Sequence, residues 1–176
     1  MDYYQKKLFI PQVDRDDNII GQIERWEAHK KAILHRGFTT VLIYQDKLIS
    51  QHRKHPVFNG YFDISFSSHQ VYKGNLLQPI TEAIIQTLKR EWYIEKHRKI
   101  EPKLLGKYYY KKKDLNSQYF EHEINYLYSI KINEIPAFNP LYAYGMSILD
   151  KAAIKNKRFP LSRVYAPWVD ELVPLL

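Results

Sequence analysis

Residues 79–94, Pro-Ile-Thr-Glu-Ala-Ile-Ile-Gln-Thr-Leu-Lys-Arg-Glu-Trp-Tyr-Ile, carry the pattern that decides the fold. Pro79 suits the first turn of a helix, and the pattern predicts a helix from about Ile80 to Ile94. At about 100° per residue, five apolar side chains fall in one sector about 140° wide: Ile80, Ile84, Ile85, Leu88 and Trp92. Glu91 lies in the same sector, where a carboxylate needs a partner. Either an ion pair at the helix end or a functional role would explain this glutamate.

Predicted strands flank this helix on both sides in the sequence. Before it, β-branched and aromatic segments predict five strands separated by turn residues: Leu8 to Val13, Ile19 to Ile23, Phe38 to Tyr44, Leu48 to Arg53 and Tyr61 to Phe66. A short helix is expected over Glu24 to Lys31. After the long helix, Ile100 to Lys112 and Tyr119 to Ile132 predict a pair of strands. Further helices are expected near Met146 to Ile154 and from Pro167 onward.

Together these elements predict an α/β (α+β) fold in which helices flank a mixed β-sheet, with residues 1–176 in one domain. The chain has no cysteine, which excludes disulfides and cysteine-ligated metals and favours a reducing, cytoplasmic location. No apolar run approaches the ~18 residues of a membrane span, and the N-terminus has no signal-peptide pattern. We therefore expect no membrane partner, and a monomer and a homodimer both fit.

The chain is strongly basic, because 27 Lys and Arg residues against 19 Asp and Glu give a net charge of +8. A positive field favours anionic partners such as phosphates and nucleic acids. The run from Lys96 to Lys113 contains eight Lys and Arg residues with Tyr108, Tyr109 and Tyr110 among them. This run fits a solvated pair of strands, and it also fits a phosphate-binding or RNA-binding surface.

Five side chains could supply the ligands of a divalent metal: His29, His35, His69, Glu121 and Glu123. Imidazole and carboxylate groups suit Mn, Zn, Fe and Mg in mixed nitrogen and oxygen sites. The two glutamates share one face of their strand, because side chains alternate along it. Surface histidines and a solvent-facing pair of glutamates would explain the same residues, and the spacing alone leaves both interpretations open.

Part of the long helix resembles a known motif. Glu82 and, after seven further residues, Arg90-Glu91 resemble the core of a Nudix box. The later pair of acids is replaced by Ile94-Glu95, and His97 stands where glycine is expected. This degenerate form is similar to that of one branch, the type I isopentenyl-diphosphate delta-isomerases.

The rest of the chain resembles this branch through an ordered set of motifs that spans nearly all of it. The set is Glu27-Ala28-His29, Leu34-His35-Arg36-Gly37-Phe38, Gln51-His52-Arg53, Phe58-Asn59-Gly60, Asp63-Ile64-Ser65-Phe66-Ser67-Ser68-His69, Glu121-His122-Glu123 and Ala166-Pro167-Trp168. A tyrosine-rich strand precedes the paired glutamates, as it does in the family.

The resemblance implies a Nudix-like fold and the conversion of isopentenyl diphosphate to dimethylallyl diphosphate by metal-assisted allylic proton transfer. It implies a site for Mn²⁺ or Zn²⁺ made by the five residues His29, His35, His69, Glu121 and Glu123. Glu91 would help to hold a second cation, Mg²⁺, against the substrate diphosphate, and Arg53 would contact that diphosphate. The implied catalytic residues are Ser67, Tyr110, Glu123 and Trp168. The implied partner is a small-molecule diphosphate, and nucleic acid is not expected.

One departure bears on the activity. Ser67 stands where the family has its catalytic cysteine, and a serine hydroxyl is far less acidic than a thiol, which titrates near pH 8.5. Three hypotheses therefore remain: an isomerase that uses Ser67, a Nudix-fold hydrolase acting on another diphosphate, and a non-catalytic basic module that binds RNA or another acidic partner.

Overall fold

The two helices predicted in the first half of the sequence are confirmed as α1 (Arg25–Lys31) and α2 (Ile80–Trp92). The computed structural model describes residues 3–95, 100–156 and 163–176. Helix α1 follows Glu24, whose carboxylate accepts a hydrogen bond from a first-turn N–H and so caps the helix. Helix α2 ends at Trp92, two residues earlier than predicted, because Tyr93 takes a left-handed conformation with φ 52°.

Strands make up most of the fold. The described residues form eleven of them: β1 (Phe9–Val13), β2 (Ile19–Glu24), β3 (His35–Tyr44), β4 (Lys47–Arg53), β5 (Phe62–Ile64), β6 (Phe66–Ser68), β7 (Tyr72–Lys73), β8 (Leu76–Leu77), β9 (Lys103–Lys113), β10 (Phe120–Lys131) and β11 (Ala143–Asp150). Strands β7 and β8 form a small hairpin, and the other nine belong to one mixed sheet. All of the predicted strands are present, and the α+β class is confirmed.

Strand β3 lies at the centre of the sheet. It runs parallel to β10, with Glu123 opposite His35 and Lys131 opposite Ile43. Along its other edge it pairs antiparallel with β1, β6 and β4 in turn. Strand β10 pairs antiparallel with β9 on its far side. The parallel pairing therefore brings residues near the start of β10 beside residues at the start of β3.

The strand predicted over Tyr61 to Phe66 is divided in two at Ser65, which is fully buried. Its hydroxyl donates a hydrogen bond to the carbonyl of Ile49 and accepts one from the N–H of Leu42, both at 2.8 Å. The Ser65 side chain therefore replaces direct backbone hydrogen bonds between β4 and β3 at this point. As a result, β5 pairs with β4 and β6 pairs with β3.

The prediction of a helix near Met146 to Ile154 is wrong for most of that segment. Residues up to Asp150 belong to strand β11, and only α3 (Lys151–Lys155) is helical. Strand β11 pairs antiparallel with β4 and satisfies backbone groups that would otherwise remain free on that edge. This long-range pairing outweighs the local helix preference. The helix expected from Pro167 onward is present as the short α4 (Val169–Leu172).

Apolar side chains cover both faces of the sheet. On one face, Ile84 and Leu88 of α2 pack in a cluster with Phe38 and Leu42 of β3. On the other face, Trp168 belongs to a second cluster that includes α4 and residues of β3 and β10. Full burial of each large apolar side chain contributes about 1.5–3 kcal/mol to folding. The two faces of β3 thus contribute to different cores, and the odd-numbered residues at its start lie on the Trp168 side.

None of the helices in the described ranges combines the length and the apolar composition that a bilayer crossing requires.

Candidate active site

The three predicted histidine ligands lie together in the protein interior. His29 comes from α1, His35 begins β3, and His69 follows β6. Their ring centroids are 4.9 Å apart for His29 and His35, 5.3 Å for His29 and His69, and 5.1 Å for His35 and His69. Each ring offers one nitrogen, and the three nitrogens lie within 4.8 Å of one another. This arrangement matches the spacing of ligands around one metal ion.

Backbone carbonyls orient two of these rings. Nδ1 of His29 lies 2.9 Å from the carbonyl oxygen of Phe120, and Nδ1 of His35 lies 2.8 Å from that of Ile33. A carbonyl only accepts hydrogen bonds, so each Nδ1 carries the proton and each Nε2 keeps its lone pair. Both Nε2 atoms are buried without a hydrogen-bond partner among the described residues. A hydrogen bond from the other ring nitrogen to a backbone carbonyl is typical of metal-binding histidines.

The two glutamates on β10 face this cluster. Glu121 is 5% exposed and Glu123 is 4% exposed, so the solvent-facing interpretation of the pair is wrong. Oε1 of Glu123 lies 2.9 Å from Nε2 of His69 and 3.4 Å from Nε2 of His35. Oε2 of Glu121 is buried without a hydrogen-bond partner in the described part of the chain. Oxygen atoms of both glutamates lie within 4.8 Å of the His35 ring nitrogen and of each other.

The second carboxylate oxygen of Glu123 is held by two side chains. The Tyr110 hydroxyl donates to it at 2.7 Å, and the amide of Asn125 donates at 2.8 Å. Tyr110 is directly opposite Glu123 in the pairing of β9 with β10. With the contact from His69, three contacts therefore fix this carboxylate in one orientation, which a metal ligand requires.

Burial and mutual contact separate the pKa values of these groups. Burial lowers the pKa of His29 well below its usual value, and the neighbouring imidazoles lower it further. Burial raises the pKa of Glu121 well above its usual range, and the negative charge of Glu123 adds to this. Burial acts the same way on Glu123, but the imidazoles of His35 and His69 beside its carboxylate outweigh it and hold that pKa well below its usual range.

The donor set fits a divalent cation. Neutral imidazoles and a carboxylate anion are the forms in which these side chains bind metals. Each buried polar atom left without a partner costs about 1–3 kcal/mol, and a cation would satisfy Nε2 of His29, Nε2 of His35 and Oε2 of Glu121 together. Three nitrogen and two oxygen donors suit a transition metal such as Mn²⁺ or Zn²⁺.

The predicted catalytic side chains lie around the same cavity. Ser67, Tyr110 and Trp168 line it together with four of the five metal-ligand candidates, His29, His69, Glu121 and Glu123. The rings of Tyr110 and Trp168 are 5.8 Å apart at an interplanar angle of 37°. The Ser67 hydroxyl bonds to Asp63 at 3.0 Å, and the indole N–H of Trp168 donates to the same carboxylate at 3.0 Å.

The two residues expected near a diphosphate also line this cavity, and both are paired. Arg53 is 4% exposed, and one of its Nη atoms donates to Asp63 at 2.9 Å. Glu91 accepts hydrogen bonds from Arg90 at 2.8 Å and from Gln51 at 3.2 Å. Glu91 therefore has its ion pair at the end of α2 and still lies at the cavity.

Sequence patterns gave no sign of several further residues at this cavity. Arg25 and Arg90 add two guanidinium groups to that of Arg53, and all three have a buried Nε atom without a partner among the described residues. Arg25 donates to backbone carbonyls near the N-terminus, including that of Tyr3 at 3.2 Å, about twenty residues away in sequence. Tyr4 is the other N-terminal residue at the cavity. No local pattern marks contacts of this range.

The cavity itself is small, at about 20 Å³. A volume of this size holds about one water molecule or a metal ion, whereas pockets for small molecules occupy roughly 300–1,000 Å³. Tyr3 and Tyr4 belong to a short 3₁₀ helix that covers it, and the Tyr3 ring lies 3.8 Å from the Arg90 guanidinium. A larger ligand would have to displace this cover.

Comparison with solved structures places the fold. The chain superposes on DR0079 from Deinococcus radiodurans with a TM-score of 0.68 at 18% identity, over 94% of this chain and 97% of that one. For the MutT NUDIX hydrolase from Burkholderia pseudomallei, the TM-score is 0.55 at 14% identity, over 81% and 98%. The NUDIX domain of Shewanella oneidensis NrtR, complexed with ADP ribose, gives 0.54 at 10% identity, over 87% and 96%.

The chain has the Nudix fold. No protein-family model and no curated protein matches its sequence. The likeness at these identities concerns the arrangement of the Nudix sheet and helices, so the chemistry has to be argued from the site itself.

The acids of the degenerate Nudix box do not converge. Glu91 lines the cavity. Glu82 is half-buried and pairs with Lys73 at 3.4 Å, while Glu95 is exposed and pairs with Lys89 at 3.1 Å. His97, at the expected glycine position, lies outside the described residues. The candidate ligands of this Nudix fold are therefore those of the histidine and glutamate cluster, with one box acid beside it.

The structure describes the basic run of Lys96 to Lys113 only from residue 100 onward. On β9, the side chains of Lys103, Lys107 and Lys111 are exposed. Lys107 is engaged with Asp17 at 2.9 Å. An anion-binding role for this surface stays a prediction.

Proposed function

We propose that this Nudix-fold chain is a metal-dependent isomerase of the isopentenyl-diphosphate type, which converts isopentenyl diphosphate to dimethylallyl diphosphate. The observation that carries the proposal is the buried cluster of three histidines and two glutamates, with Tyr110 bonded to one of those glutamates. Hydrolysis by the Nudix box would instead need its acids to meet, and Glu82 and Glu95 point to surface lysines.

In this proposal the cluster His29, His35, His69, Glu121 and Glu123 would hold Mn²⁺ or Zn²⁺. Bound there, the cation supplies Lewis acidity and positive charge next to the Glu123 carboxylate. Glu91 would hold Mg²⁺ against the substrate diphosphate. Nε2 of His29, Nε2 of His35 and Oε2 of Glu121 fit the first of these tasks, because each is buried without a hydrogen-bond partner among the described residues.

Tyr110 and Glu123 form the proton-donating side of the proposed site. The Tyr110 hydroxyl donates to Oε2 of Glu123 at 2.7 Å, so a proton is already shared between the two residues at the cavity wall. Burial and the negative charge of Glu123 raise the pKa of Tyr110 well above its usual value, so the hydroxyl keeps its proton. Transfer of this proton to the alkene would require the bound cation to offset the negative charge of Glu123, which holds the proton on Tyr110.

Trp168 would stabilise the positive charge that develops on the substrate carbon. Its indole is buried, lies 5.8 Å from the Tyr110 ring, and is fixed by the hydrogen bond to Asp63. A cation within about 6 Å of a tryptophan face gains roughly 0.5–2 kcal/mol, more where water is excluded. The aromatic face is therefore placed next to the proton donor.

Three guanidinium groups would bind the diphosphate. Arg25, Arg53 and Arg90 line the cavity, and each keeps a buried Nε atom without a partner among the described residues. Arginine matches phosphate oxygens with paired donors. Binding energy gained at the diphosphate would orient the alkene against Tyr110. Entry requires displacement of the Tyr3 and Tyr4 cover.

Hydrolysis of another diphosphate is the second candidate. It is favoured by Ser67, since hydrolysis needs no thiol, and by the hydrolase and ADP ribose-bound structures among those that share the fold. In this case the same arginines and Glu91 would bind the diphosphate, and the product would be a phosphate monoester.

Proton NMR of the purified protein with isopentenyl diphosphate, Mg²⁺ and Mn²⁺ in D₂O tests the two candidates together. We expect dimethylallyl diphosphate with deuterium incorporated, and no product from the Tyr110→Phe variant. Lys111→Ala, on the exposed face of β9, serves as the control and should retain activity. Intact substrate in the presence of bound metal would refute the isomerase, and release of phosphate would identify a hydrolase.

A further inference from the structure

Asp63 is a fully buried carboxylate that joins three residues of the proposed site. Its Oδ2 accepts hydrogen bonds from Arg53 at 2.9 Å and from the Ser67 hydroxyl at 3.0 Å. Its Oδ1 accepts one from the indole of Trp168 at 3.0 Å and one from the N–H of Ile64 at 2.8 Å. Asp63 thus holds a diphosphate-binding candidate, a proton-transfer candidate and the aromatic wall at once.

The carboxylate also decides which way neighbouring hydroxyl groups point. A carboxylate only accepts, so the single hydroxyl hydrogen of Ser67 is directed at Asp63. The contact of 2.9 Å between Ser67 and Thr39 then requires Thr39 to be the donor. The contact of 3.2 Å between Thr39 and Tyr108 requires Tyr108 to donate in turn. The hydrogen bonds therefore run in one direction, from Tyr108 through Thr39 and Ser67 to Asp63.

This direction limits what Ser67 can do. Its hydrogen points away from the cavity that it lines, so its oxygen offers a lone pair there and can receive a proton. Serine alone is a poor base, but a hydroxyl becomes effective when an adjacent group takes its proton. Asp63 is the adjacent group in this chain.

We propose that Asp63 is the positioning residue through which Ser67 removes the substrate proton, an inference that rests on the proposed isomerase function. In this step a C–H bond beside the cationic carbon breaks, and its electron pair forms the new C=C bond. The released proton bonds to Oγ of Ser67 while the original hydroxyl proton passes to Oδ2 of Asp63. The substrate cation is neutralised as the Asp63 carboxylate becomes a carboxylic acid. Between turnovers, proton exchange with solvent returns Asp63 to the carboxylate and restores the proton of Tyr110.

A double-mutant cycle tests this coupling. Asp63→Asn should lower kcat by about 100-fold or more in the wild-type background, within the range of general acid–base effects. In the Ser67→Cys background the same change should lower kcat less than about tenfold, because a thiol ionises without that carboxylate. KM should rise alike in both backgrounds, because Arg53 loses its partner in each. Asp63→Glu should restore part of kcat in the wild-type background.

Asp114→Asn is the matched control, since Asp114 is also buried and also accepts a serine hydroxyl, that of Ser117. Its effect on kcat should be small and equal in both backgrounds. Equal losses of kcat from Asp63→Asn in the wild-type and Ser67→Cys backgrounds would overturn the coupling while leaving the isomerase intact. A wild-type protein that does not turn over isopentenyl diphosphate would instead overturn the function.

Neutron diffraction from deuterated wild-type crystals tests the orientation directly, whether or not the variants fold. We expect the Ser67 deuteron on the line from Oγ to Asp63 and the Thr39 deuteron on the line to Ser67. A Ser67 deuteron directed into the cavity would overturn the proposal irrespective of the activity.

Discussion

Gly37 on β3 lies directly against the carboxylate of Glu123 on β10. A Cβ atom at position 37 would stand 2.5 Å from Oε2 of Glu123 and 2.6 Å from its Oε1. Atoms do not approach this closely without a shift, and the carboxylate is already fixed by Tyr110, Asn125 and His69. The absence of a side chain at Gly37 is therefore a condition for the position of Glu123.

The Gly37→Ala variant should displace the Glu123 carboxylate and weaken metal binding by about 10- to 100-fold, as changes that misplace a ligand commonly do. Isothermal titration with Mn²⁺ measures the change. Gly145→Ala is the control, because nothing lies within 4 Å of its added Cβ, and it should leave the affinity unchanged. An unaltered affinity in Gly37→Ala would show that Glu123 does not bind the metal.

Removing a proposed ligand directly should have a larger effect. His69→Ala should weaken metal binding by at least about 10- to 100-fold and so lose its bound metal at neutral pH. The variant lacks one imidazole nitrogen, and Glu123 loses a contact of 2.9 Å. Elemental analysis after dialysis gives the metal content. His52→Ala, which removes a ring stacked on Phe62, should retain the metal. Unchanged content in His69→Ala would refute the assignment of the site.

Restoring a thiol should raise the proposed activity. Ser67→Cys should increase the rate of isomerisation about tenfold or more, because a thiol gives up its proton far more readily than a hydroxyl. The formation of dimethylallyl diphosphate measures it. Ser129→Cys introduces a thiol on a different strand, β10, and should give no gain. The absence of any gain in Ser67→Cys would mean that this position is not part of the proton transfer.

A pH-dependent contribution to stability is expected from Asp17. Burial alone would raise the pKa of this carboxyl, but hydrogen bonds from Tyr126, Lys107 and Arg36 outweigh it and lower the pKa. Asp17 has φ 70°, which asparagine also tolerates, so Asp17→Asn keeps the turn. We expect the free energy of unfolding to fall by about 1–2 kcal/mol near neutral pH, the difference between hydrogen bonds to a charged group and to a neutral one.

The sign follows from proton binding. A lowered folded-state pKa means that the folded chain binds fewer protons, so the stabilisation is complete above the ordinary aspartate pKa of about 3.9. It is lost as the pH falls through the lower folded-state value. Urea unfolding of wild type and Asp17→Asn across this range should show the difference shrinking toward acid. Asp46→Asn, also at positive φ but exposed, is the matched control for the substitution itself.

Local sequence patterns predicted the secondary structure correctly where the conformation depends on the segment itself. The apolar stripe from Ile80 to Trp92 predicted α2, and the segments on either side of residues 113–118 predicted the pair β9 and β10. Local patterns failed at Met146, because that segment becomes a strand only by pairing with β4, about ninety residues away in the chain. No property of the segment itself encodes that partner.

The sequence by itself determined the types of chemical group and their order: three histidines, paired glutamates and Glu91 on an apolar helix face. Only the tertiary structure decided which of them meet. The parallel register that sets Glu123 opposite His35 turns an apparently solvent-facing glutamate into a buried candidate ligand. The role of Asp63 was hidden for the same reason, because its partners Arg53, Ser67 and Trp168 come from separate parts of the chain. Hydrogen bonds depend on distances in space, and local sequence patterns specify those distances only within a single helix or strand.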